Sequence, residues 1–166
     1  MVPVLDELRE ILERQLLKAK EGNTSWMFGP RKHPITKETQ IHNGVDLGSP
    51  EGTEIKSPLA GVVSAAWFDD KYGGGNSLVI DHARGPFKRT GYAHMHQPAL
   101  VKAGDKVSEG QVVGLVGTTG KSTGPHLHFV VRKMVGKELK AVDPLPDLCV
   151  LVGVVEMPEH QVLTTP

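Results

Sequence analysis

The chain has 166 residues, the size of one ordinary domain and too small for two. With 39% hydrophobic and 23% charged residues it can build a core, and global disorder is excluded. Lys plus Arg and Asp plus Glu both number 19, so no net field draws the chain to nucleic acid or to an anionic membrane.

No apolar run approaches the ~20 residues of a membrane span, and acids from Asp6 onward exclude a signal peptide at the start. Two origins remain: synthesis in the cytosol without a leader, or a leader already trimmed. Residues 4–20 read as an amphipathic helix. Leu5, Leu8, Leu12, Leu16 and Ala19 recur at helical spacing. Asp6 and Glu7 favour its start, Lys18 and Lys20 its end, and Gly22 can stop it. Such a helix packs on the domain edge or serves as a docking element. Glu21–Ser25 reads as a linker.

Beyond Gly22 the grammar is that of β structure, in keeping with 19 Gly and 12 Pro. Strands are expected in 61–68 (GVVSAAWF), 76–81 (NSLVID), 111–117 (QVVGLVG) and 126–133 (HLHFVVRK). The phrases 52–66 and 103–117 echo one another and suggest two hairpin-like units in one sheet system. The fold class is therefore mainly β, an antiparallel sheet or sandwich-like single domain with a helix in front. Residues 148–155 (LCVLVGVV) read as a last strand or buried tail.

One cysteine, Cys149, permits neither an intramolecular disulfide nor a Cys-cluster metal site. A zinc site would have to use the eight His with Asp or Glu. His42-Asn43-Gly44-Val45-Asp46 offers a His and a carboxylate four residues apart, with Asn43-Gly44 able to bend the chain through positive φ. In His126-Leu127-His128, strand alternation puts both imidazoles on one face and Leu127 in the core. His94, in 91–95 (GYAHM), gains weight only beside these. Three protein ligands with an open fourth position is the pattern of catalytic zinc. The remaining groups could take a proton and stabilise an oxyanion. His33, His82 and His160 read as structural or exposed. The segment 117–122 (GTTGKS) has the wrong spacing for a phosphate loop and precedes a strand, which excludes nucleotide binding. Lys121, Arg132, Lys133, Lys137 and Lys140 make 121–140 locally basic, a solvated face or a contact for an anionic polymer.

Taken in order, 28–36 (FGPRKHPIT), 41–58 (IHNGVDLGSPEGTEIKSP), 91–95, 101–129 (VKAGDKVSEGQVVGLVGTTGKSTGPHLHF) and 143–146 (DPLP) resemble the zinc peptidases of the lysostaphin and LytM type, peptidase family M23, which cut peptides in bacterial peptidoglycan. The likeness covers about residues 26–147. It implies a mostly antiparallel β fold with a groove over one zinc ion per chain. It implies zinc on His42, Asp46 and His128, a general base at His126, and a transition-state or proton-transfer role for His94. Spacing alone cannot tell His126 from His128. Two positions depart from the family pattern: Val130 after H-x-H-F, and Met95-His96 after His94. His96 could share the His94 face.

The expectation is thus a zinc metalloendopeptidase, with residues 23–147 as the peptidase domain, 1–22 as a helical extension and 148–166 as a strand and tail. The alternative on the same scaffold is a non-catalytic wall-binding or activator module, against which all five positions are intact. A biotin- or lipoyl-carrier module fails for lack of a hairpin-tip lysine. The opening 28–36 resembles endopeptidases of Gram-negative walls, so the expected bond joins D-alanine to meso-diaminopimelate. The expected partner is the peptidoglycan peptide, with a monomeric chain and no nucleic acid. The expected setting is a phage-type lytic or virion enzyme acting on the wall, with a trimmed periplasmic enzyme as the alternative.

Overall fold

The computed structural model describes residues 4–32 and 36–153. Its frame is a seven-stranded antiparallel sheet built from β3 (Val45–Gly48), β5 (Gly61–Asp69), β6 (Gly75–Asp81), β7 (Arg89–Met95), β8 (Lys106–Val107), β10 (His126–Val135) and β11 (Glu138–Val142). The order runs β11-β10-β7-β6-β5-β8. Strand β10 is long enough to hold β11 on residues 131–135 and β3 on residues 126–129. Two small antiparallel pairs flank this sheet, β1 (Gly29–Lys32) with β2 (Thr39–His42) and β4 (Glu54–Lys56) with β9 (Val112–Leu115).

The expected mainly β class is what forms, and period-two burial explains why. On β10, Leu127, Phe129 and Val131 are buried while His126, His128 and Val130 are partly open. Tyr92, Leu78, Ile80 and Val63 continue the buried face across β7, β6 and β5. The echo at 52–66 and 103–117 is real, but the two units interlock rather than form separate hairpins. The first strand of each pairs with the second strand of the other, β4 with β9 and β5 with β8.

Helix α1 spans Val4–Lys20, the bounds its amphipathic stripe predicts. Leu12, Leu16 and Ala19 are buried against the domain, and α1 touches β3. The expected final strand is instead α2 (Leu145–Val152), packed on α1. Leu145, Leu148, Cys149 and Val152 are buried at i, i+3, i+4 and i+7, a helical rather than a strand period. Pro144 and Pro146 sit where a helix start tolerates proline, and left-handed Gly153 ends it. Residues 154–166, the rest of the expected tail, lie outside the described residues. No described helix is long and apolar enough to cross a membrane.

Candidate active site

The site is set by the pairing of β3 with β10. Asp46 stands directly opposite His128, so both side chains rise from one face of the sheet. His42 closes β2, and Asn43-Gly44 turns the chain into β3. The turn does not use the expected positive φ, which neither residue adopts. Glycine is needed for another reason: a Cβ at Gly44 would strike the Phe129 carbonyl of β10. Its absence lets the turn lie against β10 and brings His42 over Asp46.

Three atoms converge there. His42 Nε2 lies 3.1 Å from Asp46 Oδ1 and 3.2 Å from His128 Nδ1, and His128 Nδ1 lies 3.0 Å from Asp46 Oδ1. The outer ring nitrogens fix the tautomers. His42 Nδ1 donates to the Met27 carbonyl (2.8 Å), and His128 Nε2 donates to Asn43 Oδ1 (2.9 Å). In the neutral rings, both inward nitrogens therefore carry lone pairs. Two lone pairs and a carboxylate oxygen facing one another call for a cation between them. Tetrahedral zinc ligands at ~2.0–2.2 Å from the ion stand roughly 3.3–3.6 Å apart, within a few tenths of an ångström of these separations. The donor set fits a divalent metal.

The surroundings support that fit. Asp46 Oδ2 accepts from Arg31 at 3.0 Å, so the carboxylate is clamped from behind. Burial would raise the Asp46 carboxyl. Without a cation the inward nitrogens of His128 and His42 can carry protons instead, and in that form they hold it far below its usual range against that upward push. The His42 side chain is 4% exposed, whereas those of Asp46 and His128 are 21% and 17% exposed. The cluster is closed behind and open in front.

Two more imidazoles border the opening. His126 Nδ1 donates to the Gly124 carbonyl (2.8 Å), which leaves Nε2 as an acceptor 3.6 Å from Asp46 Oδ1. His94 Nδ1 donates to the Thr119 carbonyl (2.8 Å), so its Nε2 is also an acceptor in the neutral ring. The two rings are 4.9 Å apart between centroids, and His94 is 6.1 Å from His128. His94 holds φ of 60°, a left-handed conformation that is strained for a side-chain residue. Its N–H is held by the Gly74 carbonyl at 2.7 Å. Burial lowers the His94 pKa, although the bond to Thr119 opposes this.

All five expected residues thus meet at one opening. The others do not join them. His96 follows β7 and pairs with Glu51 at 2.8 Å on the surface. His82 is buried between the Ala60 carbonyl and Thr90. His33 and His160 lie outside the described residues. The basic stretch is partly neutralised, with Lys133 paired to Asp147 and Lys140 to Glu138. Sequence reasoning missed Arg31 and Asn43 as supports of the cluster. Both sit inside phrases it did single out, 28–36 and 42–46, where Asn43 is read only as a turn former.

Comparison with known proteins shows the family and the fold. Residues 40–144 match the model of peptidase family M23. The DD-carboxypeptidase/endopeptidase Mpg of Neisseria meningitidis serogroup B is 40% identical over 125 residues, which is 73% of this chain and 27% of that protein. The chain therefore spans about a quarter of that relative's length. Among solved structures, the catalytic domain of lysostaphin from Staphylococcus simulans superposes with a TM-score of 0.62 at 36% identity, covering 75% of this chain and 90% of that one. A zinc-containing peptidase from Vibrio cholerae superposes with a TM-score of 0.60 at 34% identity, covering 81% and 36%.

Proposed function

The chain belongs to peptidase family M23, and we propose that it hydrolyses peptide cross-links of bacterial peptidoglycan, at the bond from D-alanine to meso-diaminopimelate, as a zinc endopeptidase acting at the cell wall. The observation that carries this reading is the convergence of His42 Nε2, Asp46 Oδ1 and His128 Nδ1, with two further acceptor imidazoles at its open side. The choice of bond is supported by the DD-carboxypeptidase/endopeptidase relative at 40% identity.

His42, Asp46 and His128 would hold the zinc, which supplies Lewis acidity to polarise a peptide carbonyl and acidify water. The other residues divide the proton work. His126 Nε2 is a free acceptor beside the cluster, and it takes the proton of the attacking water. The imidazolium that forms keeps its Nδ1–H on the Gly124 carbonyl, which steadies the positive ring. The proton can then pass to the leaving amine. His94 starts neutral, since burial disfavours its charged form. Its Nε2 becomes a donor to a developing oxyanion only after taking up a proton. That proton must come from solvent at the open side, since the one held by His126 is spent on the leaving amine. Arg31 and Asn43 keep Asp46 and His128 aimed throughout.

The test is to offer the purified chain a cross-linked muropeptide dimer from a Gram-negative sacculus and, separately, pentaglycine. Mass analysis should show the dimer split at the D-alanine to diaminopimelate bond. Rapid pentaglycine cleavage with the dimer intact would overturn the bond assignment. Cleavage of neither by zinc-loaded chain would overturn the enzyme reading.

A further inference from the structure

Helix α1 lies outside the residues that match the family model, yet it reaches the cluster from behind. Strand β3 pairs with β10 along one edge only, so its other edge presents bare backbone groups. Asp46 and Gly48 turn their N–H and C=O groups to that free edge. The Asp46 N–H donates to the Trp26 carbonyl at 2.9 Å. Two of the other groups are taken by one side chain. Gln15 Nε2 donates to the Asp46 carbonyl at 2.8 Å, and Gln15 Oε1 accepts from the Gly48 N–H at 2.7 Å.

We propose that Gln15 is a positioning residue for the metal site, and that α1 is a brace which fixes Asp46 by gripping β3 on both sides of Leu47. This rests on the reading of His42, Asp46 and His128 as the metal ligands. A glutamine that is 6% exposed is tolerated in a core only if both ends of its amide are paired. Here both are, in the pattern a neighbouring strand would supply. Leu12, Leu16 and Ala19 seat the helix on its apolar face, so the amide reaches β3 from a rigid base. Mere protection of a free edge could be supplied anywhere along β3. The carbonyl gripped is that of Asp46 itself, so its backbone cannot shift without breaking a buried bond. Arg31 then fixes the carboxylate end of the same residue. Asp46 is held at backbone and side chain by elements that do not touch the reaction.

The test measures zinc affinity by chelator competition, well below the unfolding temperature of each variant, together with exchange of the Gly48 amide hydrogen. Gln15→Leu keeps the apolar bulk and removes both bonds. It should weaken zinc binding by about 10–100-fold, the usual cost of losing support behind a ligand, and should speed exchange at Gly48. Ala19→Gly loosens α1 through helix propensity without touching β3. It should lower the Tm yet leave zinc affinity within about threefold. If Gln15→Leu does not fold, Gln15→Glu serves. It keeps an acceptor for the Gly48 N–H, loses the donor to the Asp46 carbonyl, and should weaken zinc about tenfold. Unchanged affinity in the Gln15 variants, or an equal loss in Ala19→Gly, would overturn the brace while leaving the ligand set standing. A wild-type chain that binds no zinc would overturn the ligand set itself and the brace with it.

Discussion

Asp46 spends one carboxylate oxygen on Arg31 and turns the other toward two imidazoles. That division decides what substitutions do. His42→Ala, Asp46→Ala and His128→Ala should each lose bound zinc and activity, because a three-ligand site cannot spare one. Metal content after dialysis checks this. Arg31→Met should keep the three ligands but weaken zinc by about 10–100-fold, read in the same chelator competition. His126→Ala and His94→Ala should retain the metal and the fold while kcat falls about 10²–10⁴-fold. Loss of metal from His126→Ala would exchange its role with that of His128. The sequence could name all five residues, since their motifs are short and ordered. It could not separate His126 from His128, because strand alternation puts both on one face. What separates them is ring direction. Gly124 takes the Nδ1–H of His126, while Asn43 takes the Nε2–H of His128 and leaves its Nδ1 facing Asp46. Both acceptors come from loops, whose placement no period encodes.

Among the elements, the turn between β2 and β3 is tightly specified by one glycine. A methyl at Gly44 would meet the Phe129 carbonyl, a backbone group that cannot rotate away. Gly44→Ala should therefore push the turn off β10, destabilise the fold by about 1–3 kcal/mol and weaken zinc binding by moving His42. Urea unfolding and metal affinity should change together. A stable variant with weakened zinc would place the strain in the turn alone. At this scale the sequence was legible where one period dominated. Helix α1 and the long strand β10 emerge where their patterns place them. Helix α2 did not, because Leu148–Val152 taken alone is an unbroken apolar run that fits strand or buried helix equally. The period appears only when Leu145, beyond Pro146, is included. The crossed pairing of β4 with β9 and β5 with β8 was also hidden, since an internal echo fixes the likeness of two units but not their partners.

Across the whole molecule, one polar string runs through the core. His82 Nδ1 donates to the Ala60 carbonyl (2.9 Å), Thr90 donates to His82 Nε2 (2.8 Å), and Tyr92 donates to Thr90 Oγ1 (2.9 Å). With His82 neutral every member is satisfied, whereas a proton on Nε2 would oblige the Thr90 hydroxyl, and Tyr92 after it, to turn round. Burial accordingly pushes the His82 pKa down, outweighing the pull of the Ala60 carbonyl and of Asp81. Burial also pushes the Tyr92 hydroxyl up to about 12, so it stays a donor. Asp81, the charged neighbour, is engaged by Arg89 at 2.6 Å. In the unfolded chain His82 titrates near ~6.5. Above that value neither state is protonated, and this group adds no pH dependence. Below it the unfolded chain takes up a proton that the folded chain refuses, so stability falls as pH falls, by at most about 1.4 kcal/mol per pH unit for one proton. Urea unfolding of zinc-saturated chain at about pH 7.5 and about pH 5.5 should show this loss. His82→Gln should be less stable at the higher pH, having lost the fitted ring, but its stability should fall less between the two. The difference between the two slopes isolates His82 from every other titrating group. Equal slopes would mean that His82 is protonated alike in both states and that the core string tolerates the charge.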